Sequence, residues 1–266
     1  MVICVFFFWG FLSFAGCDVD KSFVNSSWPL PVFQPSHRTH RVRRFSTKER
    51  SNFNEEEKEI ILKRHNDLRK SQGSSNMIRL EWSAEVERSA LHVAEMCSFK
   101  HSSDSVRSNK AGYRILGENI HVRSTAVLKD VGAFVHEFNK EEVNWDYEGM
   151  KCKQGKCGHY TQVVWPTTEV LGCAAKWCDT LIGVSTFTKG SLYVCHYGPN
   201  GNINLSKSKI YKKGPACSAC PKGFPHCNDQ MCSKVACPPD EKSLATRRSY
   251  SITLVLCLLL CSYLHR

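Results

Sequence analysis

Gly158-His159-Tyr160-Thr161-Gln162-Val163-Val164-Trp165 is the stretch on which the reading of this 266-residue chain turns. Downstream of it comes Tyr193-Val194-Cys195-His196-Tyr197-Gly198-Pro199-Asn200-Gly201-Asn202, and upstream lie His65-Asn66-Asp67-Leu68-Arg69 and Gly117-Glu118-Asn119-Ile120. Around these blocks the apolar pattern is first helical, then strand-like. Residues 54–70 predict a helix: Asn54 can cap it, Glu55, Glu56 and Glu57 complement the positive end of its dipole, and Lys63, Arg64, Arg69 and Lys70 the other end. Residues 83–100 place Val86, Ala90, Val93, Ala94 and Cys97 at helical spacing, and residues 125–142 do the same with Val127, Leu128, Val131, Phe134, Val135 and Phe138. Extended runs follow at 170–177 and 191–197. Three helices and then strands predict an α+β chain built in layers.

The two ends read as processing and targeting segments. Val2 to Phe14 is apolar and too short to span a bilayer, which takes about 20 residues, so residues 1–17 are expected to be a secretory signal peptide. The apolar tail from Ile252 to Leu264, with small residues at Ser243 and Ala245 ahead of it, makes 241–266 a GPI-attachment signal or a short membrane anchor. Residues 18–53 lack apolar periodicity and carry Pro29, Pro31 and Pro35, as in a flexible basic pro-segment or linker. Its run from His37 to Arg50 fits either a polyanion patch or, as favoured here, a convertase site at Arg41-Val42-Arg43-Arg44. Loss of 1–44 and 244–266 would remove eight Lys/Arg and two Asp, leaving +5 of the formal +11 charge. No nucleic-acid partner is expected. Fifteen cysteines in a secretory chain mean disulfides, and sequons at Asn25 and Asn204 agree with that compartment.

Cys217, Cys220, Cys227, Cys232 and Cys237 form a small cluster with few large apolar residues, which needs disulfides for its order. A zinc ribbon would require a second Cys-x-x-Cys element, and only one is present.

The four signature blocks, in their order, resemble those of the CAP superfamily of cysteine-rich secretory proteins, antigen 5 and pathogenesis-related protein 1, as in a venom-allergen-like member with a short Cys-rich hinge. The resemblance implies a three-layer α-β-α sandwich over 54–205, followed by a small disulfide-rich hinge over 206–240. It implies the bridges Cys97–Cys178, Cys173–Cys195 and Cys152–Cys157, and in the hinge Cys217–Cys227 and Cys220–Cys232. A further family bridge is missing at both ends, because its positions are Leu116 and Gly198. Cys237 is then left without a partner unless Cys17 survives processing.

The same resemblance implies a cleft lined by His101, Glu118, Glu137 and His159. Two imidazoles can ligate a divalent ion such as zinc, weakly, while carboxylates orient them. His65 and His196 read as hydrogen-bonded scaffold, and Tyr160, Gln162 and Trp165 as the cleft's wall. A hydrolase would also need a nucleophile or a tightly held metal, together with an oxyanion donor. Neither Gly-x-Ser-x-Gly nor His-Glu-x-x-His occurs. The leading expectation is therefore a secreted or surface-tethered, non-catalytic module that binds a lipid (sterol or fatty acid) or an extracellular protein. A metal-dependent, peptidase-like hydrolase is the alternative. The apolar composition of 180–190 (Leu181, Ile182, Val184, Phe187) suits either a lipid-binding loop or a plain β-hairpin.

Overall fold

The computed structural model of the chain describes residues 45–203 and 210–236. The expected signal peptide, convertase site, both sequons, Cys17, Cys237 and the C-terminal anchor lie outside them. Among the described residues no helix is long and apolar enough to cross a membrane.

The chain runs through β1 (Phe45–Ser46), α1 (Glu55–Lys70), β2 (Glu81–Trp82), α2 (Ala84–Glu95), α3 (Asp104–Arg107), β3 (Ser108–Lys110), β4 (Tyr113–Ile115), β5 (Gly117–Arg123) and β6 (Val127–Leu128). It continues with α4 (Ala133–Asn139), a 3-10 stretch (Lys140–Asn144), β7 (Trp145–Asp146), β8 (Lys151–Cys152), α5 (Gly158–Val163), β9 (Val170–Cys178), β10 (Gly190–Gly198), β11 (His226–Asn228) and β12 (Met231–Ser233). The central sheet has the order β2-β9-β10-β5, with β2 parallel to β9 and the other pairs antiparallel.

One face of this sheet carries Ile120, Ala174, Leu192 and Val194 and packs on Ala90, Val93 and Ala94 of α2. The helix lies so close that a Cβ on Gly172 of β9 would come within 2.1 Å of the Glu87 amide nitrogen, which only a glycine avoids. The other face carries Cys173, Ala175, Tyr193 and Tyr197 and packs on α1, α4 and α5 through Ile61, Phe134, Phe138, Tyr160 and Val163. Helix, sheet, helices: the layered α-β-α expectation holds.

α1 starts where its capping signal predicts. The Asn54 side chain accepts from the Glu57 amide, and the Glu57 carboxylate accepts from the Asn54 amide. The third predicted helix is much shorter than 125–142. Val127 and Leu128 pair instead with Ser46 and Phe45, and the Asp130 carboxylate accepts from the Gly132 amide before α4 begins. The apolar residues there satisfy a helical period, but strand pairing to a distant segment wins.

Residues 45–53 also depart from the expected flexible arm. Phe45 and Phe53 are buried, with ring centroids 4.7 Å apart, in the main core cluster. Every described cysteine is bridged, as Cys97–Cys178, Cys152–Cys157, Cys173–Cys195, Cys217–Cys227 and Cys220–Cys232. The Cys-rich segment does not stand apart from the sandwich. Its Cys232 amide donates to the Met77 carbonyl, the Arg79 amide donates to the Cys232 carbonyl, and the Ser75 amide donates to the Lys212 carbonyl.

Candidate functional site

β5 is an edge strand, and the site is built on both sides of it. Successive residues of a strand point to opposite faces, so Glu118 turns toward α2 while Asn119 turns toward α5. On the α2 side the Glu118 carboxylate accepts four hydrogen bonds. His101 Nδ1 lies 2.8 Å from Oε1, the Ser102 amide donates to Oε1 at 2.9 Å, the Ser102 hydroxyl donates to Oε2 at 2.6 Å, and His196 Nε2 lies 3.1 Å from Oε2. Burial opposes the charge on Glu118, but the bonds from His101, His196 and Ser102 outweigh it and hold the carboxyl far below the usual carboxylate range.

An ionised Glu118 can only accept, which places a proton on Nδ1 of His101 and on Nε2 of His196. His196 is fully buried on β10, and burial lowers its pKa. Its neutral ring therefore accepts at Nδ1 from the Ser89 hydroxyl of α2, 3.0 Å away.

On the opposite side His159, in the first turn of α5, pairs with Glu141. Nδ1 lies 2.8 Å from Oε1, and the His159 amide donates to Oε2 at 2.7 Å. The Glu141 carboxyl is buried enough to be pushed up, yet the bonds from His159 bring it down overall. The two sides are linked through β5, because the Asn119 side chain donates to the His159 carbonyl at 3.0 Å.

Glu137, expected to line the cleft with His101, Glu118 and His159, is not the carboxylate that pairs with His159. It pairs with Lys140 at 2.7 Å, and Lys140 first, then His121 and Arg123, hold its carboxyl low. Glu141, one helical turn further on, stands beside His159 instead, because α4 gives way to the 3-10 stretch and the turn carries residue 141 inward. The apolar stripe of α4 favoured Glu137 by its proximity to Phe134 and gave no sign of where that helix stops. A second residue missed by the sequence reading is His121 on β5. It is half-buried, desolvation lowers its pKa to about 4, and it feels both Glu137 and His159.

The two expected histidines thus sit in two His–carboxylate pairs, His101–Glu118 and His159–Glu141, on the two faces of an open edge. In each pair the carboxylate fixes Nδ1, and Nε2 makes no hydrogen bond to the described residues. This is the donor arrangement that metal-ligating histidines use, with the other ring nitrogen free for an ion. Among the described residues, groups of three or more ligand atoms within 4.8 Å of one another consist of His65 with Cys173 and Cys195, and of Cys217 with Cys220 and Cys232. Their sulfurs are spent in disulfides and offer no thiolate.

The other signature residues hold the fold. His65 is fully buried, donates through Nδ1 to the Ile61 carbonyl at 2.9 Å, and meets the Tyr197 hydroxyl at 3.1 Å through Nε2. Gln162 fills the space over Gly117, where a Cβ would fall 2.1 Å from its Oε1, and that oxygen accepts from the Gly201 amide. The 180–190 segment is pinned. The Ile182 amide donates to the Cys97 carbonyl, the Phe99 amide donates to the Ile182 carbonyl, and Leu181 is buried against the α2 layer.

Comparison with known proteins bears on the family and the fold. Residues 62–197 match the family described as cysteine-rich secretory protein family, CAP. Peptidase inhibitor 16 of Bos taurus is 32% identical over 197 residues, covering 73% of this chain and 40% of that protein. The Homo sapiens protein of the same name is 32% identical over 193 residues, covering 71% and 39%. The chain therefore spans about two fifths of the length of the curated relatives it matches. Among solved structures, Na-ASP-1 shares the fold with a TM-score of 0.54 at 24% identity, over 70% of this chain and 49% of that one. NaASP2 with Zn2+ superposes with a TM-score of 0.53 at 28% identity, over 68% of this chain and 96% of that one. With the signature blocks, the layered sheet and more than half of its length matched, the chain belongs to the CAP family of cysteine-rich secretory proteins.

Proposed function

We propose that this chain is an extracellular, non-catalytic binding module, with a weak divalent-metal site at His101 and His159. The observation that carries this reading is the saturation of Glu118 by four donors. A carboxylate held that firmly ionised cannot take a proton at neutral pH and makes a poor general base. Glu141 is bound by both the ring and the amide of His159, which leaves it an orienting group as well.

His101 and His159 would be the direct ligands through Nε2, with Glu118 and Glu141 holding the rings; a bound zinc would supply a Lewis-acidic centre there. Two imidazoles suffice for weak binding. The Zn2+ present with NaASP2 supports the choice of ion. Bridged cysteines throughout the described residues support an oxidising compartment.

The partner is a sterol or fatty acid, or an extracellular protein; the name of the peptidase inhibitor 16 relatives puts an extracellular peptidase among the protein candidates. Pinning of the 180–190 segment and burial of Leu181 weigh against a mobile lipid loop there and toward the protein partner.

The test is calorimetric titration of Zn2+ into chelator-treated protein, alongside assays of peptide cleavage and of lipid extraction. Weak binding lost in both His101→Ala and His159→Ala, with no turnover, supports the module. Zinc-dependent peptide cleavage abolished by Glu118→Gln in a folded protein would establish the hydrolase instead.

A further inference from the structure

The α2 layer also borders a groove whose lining includes none of His101, Glu118, Glu141 and His159. α2 and the segment from Ser105 to Lys110 enclose an open groove of about 580 Å³. Arg88 and His92 stand one turn apart on α2, and Lys110 faces them from β3. Ser89 and Ser105 bring hydroxyl groups to the lining.

Among the described residues, the side chains of Arg88 and Lys110 form neither an ion pair nor a hydrogen bond, although Lys110 pairs with Tyr113 through the backbone. The carboxylate in the lining, Glu85, is engaged, because its Oε1 accepts from the Ala111 amide at 2.6 Å. The grooves beside α1 differ. There Lys63 is neutralised by Asp67 at 2.8 Å, and Arg64 by Asp130 at 3.0 Å.

The wall of the cationic groove is also rigid. Ser89 is tied to buried His196, and Val106 packs against the α2 core cluster. Cations that are exposed, unpaired and mounted on a fixed helix and hairpin are pre-organised for an anion.

The geometry points to a binding site for sulfate monoesters of an extracellular sulfated glycan. A guanidinium matches the paired oxygens of a sulfate, and an ammonium serves as a second point charge. The Ser105 hydroxyl, exposed and bonded to that of Ser103 at 2.8 Å, keeps a lone pair for a sugar hydroxyl, and the groove is open rather than enclosed. The oxidising compartment read from the disulfides is where sulfated glycans, rather than nucleotides, are the abundant polyanions. The formal charge stays positive, at +5, even after loss of 1–44 and 244–266, and steers such a ligand in.

The test uses the secreted full chain and a heparin-derived hexasaccharide in surface plasmon resonance at near-physiological salt. Arg88→Ala with Lys110→Ala should weaken binding by about tenfold and flatten its salt dependence. Lys110→Glu alone, a charge reversal on an exposed hairpin, should act in the same direction. Lys63→Ala with Arg64→Ala should leave affinity unchanged. The basic run from His37 to Arg50 is intact in every variant, so any loss reports on the groove alone. Unchanged affinity in both groove variants overturns the assignment. So does equal binding of de-N,O-sulfated heparin, or stronger binding to phosphatidylserine vesicles than to the hexasaccharide.

Discussion

Arg69 is fully buried and faces carbonyls, with no carboxylate among its hydrogen-bond partners. It donates to Ile78 at 2.6 and 3.0 Å, to Val163 at 2.8 Å, to Trp165 at 2.7 Å and to Thr168 at 3.2 Å, and burial lowers its pKa to about 9. One guanidinium thereby ties α1 both to Ile78 and to the end of the central motif. Its position near the end of a helix had given it only a dipole role in the sequence. Arg69→Lys should cost about 3 kcal/mol or more in urea unfolding, because one ammonium cannot serve acceptors on both segments. His65 makes the companion prediction for pH. Burial lowers its pKa from 6.5 to about 4, so the unfolded chain takes up a proton that the folded one refuses. Its share of stability is complete above pH 6.5 and falls away as the pH drops to 4, by about 3 kcal/mol in all. His65→Gln, which has no such proton, should flatten that slope in urea unfolding measured across the same range. An equally steep slope in the variant would assign the acid sensitivity elsewhere, to His196 or His121, whose pKa values burial also lowers.

At the scale of elements, α1 and β1 mark the contrast between local and distant information. The capping box at Asn54 and Glu57 is a local signal and was legible; Asn54→Ala should cost about 1 kcal/mol by thermal or urea unfolding. β1 was not legible, because its partner Val127–Leu128 lies far along the chain. Phe45 is buried, packs its ring on Phe53 and pairs with Leu128. Phe45→Ala should therefore destabilise by about 3 to 5 kcal/mol in the same assay. The strand also bears on processing. Phe45 and Ser46, the two residues that follow Arg44, are 0% and 8% exposed, and a convertase must hold them extended in its cleft. Folded protein incubated with a furin-like convertase should resist cleavage at Arg44, while protein denatured first should be cut, as read by mass spectrometry of the new N-terminus. The pairing of His159 with Glu141 belongs at this scale as well. Helical periodicity identified the inward face of α4, but the change to a 3-10 turn at Lys140 decided which glutamate reaches His159.

For the whole molecule, the Cys-rich segment acts as part of the fold. Backbone bonds join it to Ser75, Met77 and Arg79, Ile78 packs with Phe224 and Cys232, and the Lys70 ammonium meets Asp229 at 2.5 Å. Ending the chain after Ile203 would strip Met77 and Ile78 of their cover. The expected cost of about 3 kcal/mol would lower Tm by about 6–12 °C in calorimetry. The sequence by itself determined the layered α+β class, the capped start of α1, the residues of the four signature blocks and, through resemblance, the α-β-α layer order and the family to which the chain belongs. These rest on neighbours within a few residues or on whole motifs. Only the tertiary structure decided that Glu141 rather than Glu137 pairs with His159, that Glu118 is saturated by donors from a loop and from β10, and that Arg88 and Lys110 line one groove. Each of those depends on where a helix stops or on which distant strand lies alongside, and such choices are made by packing and by the need to satisfy buried polar groups, which no local pattern encodes.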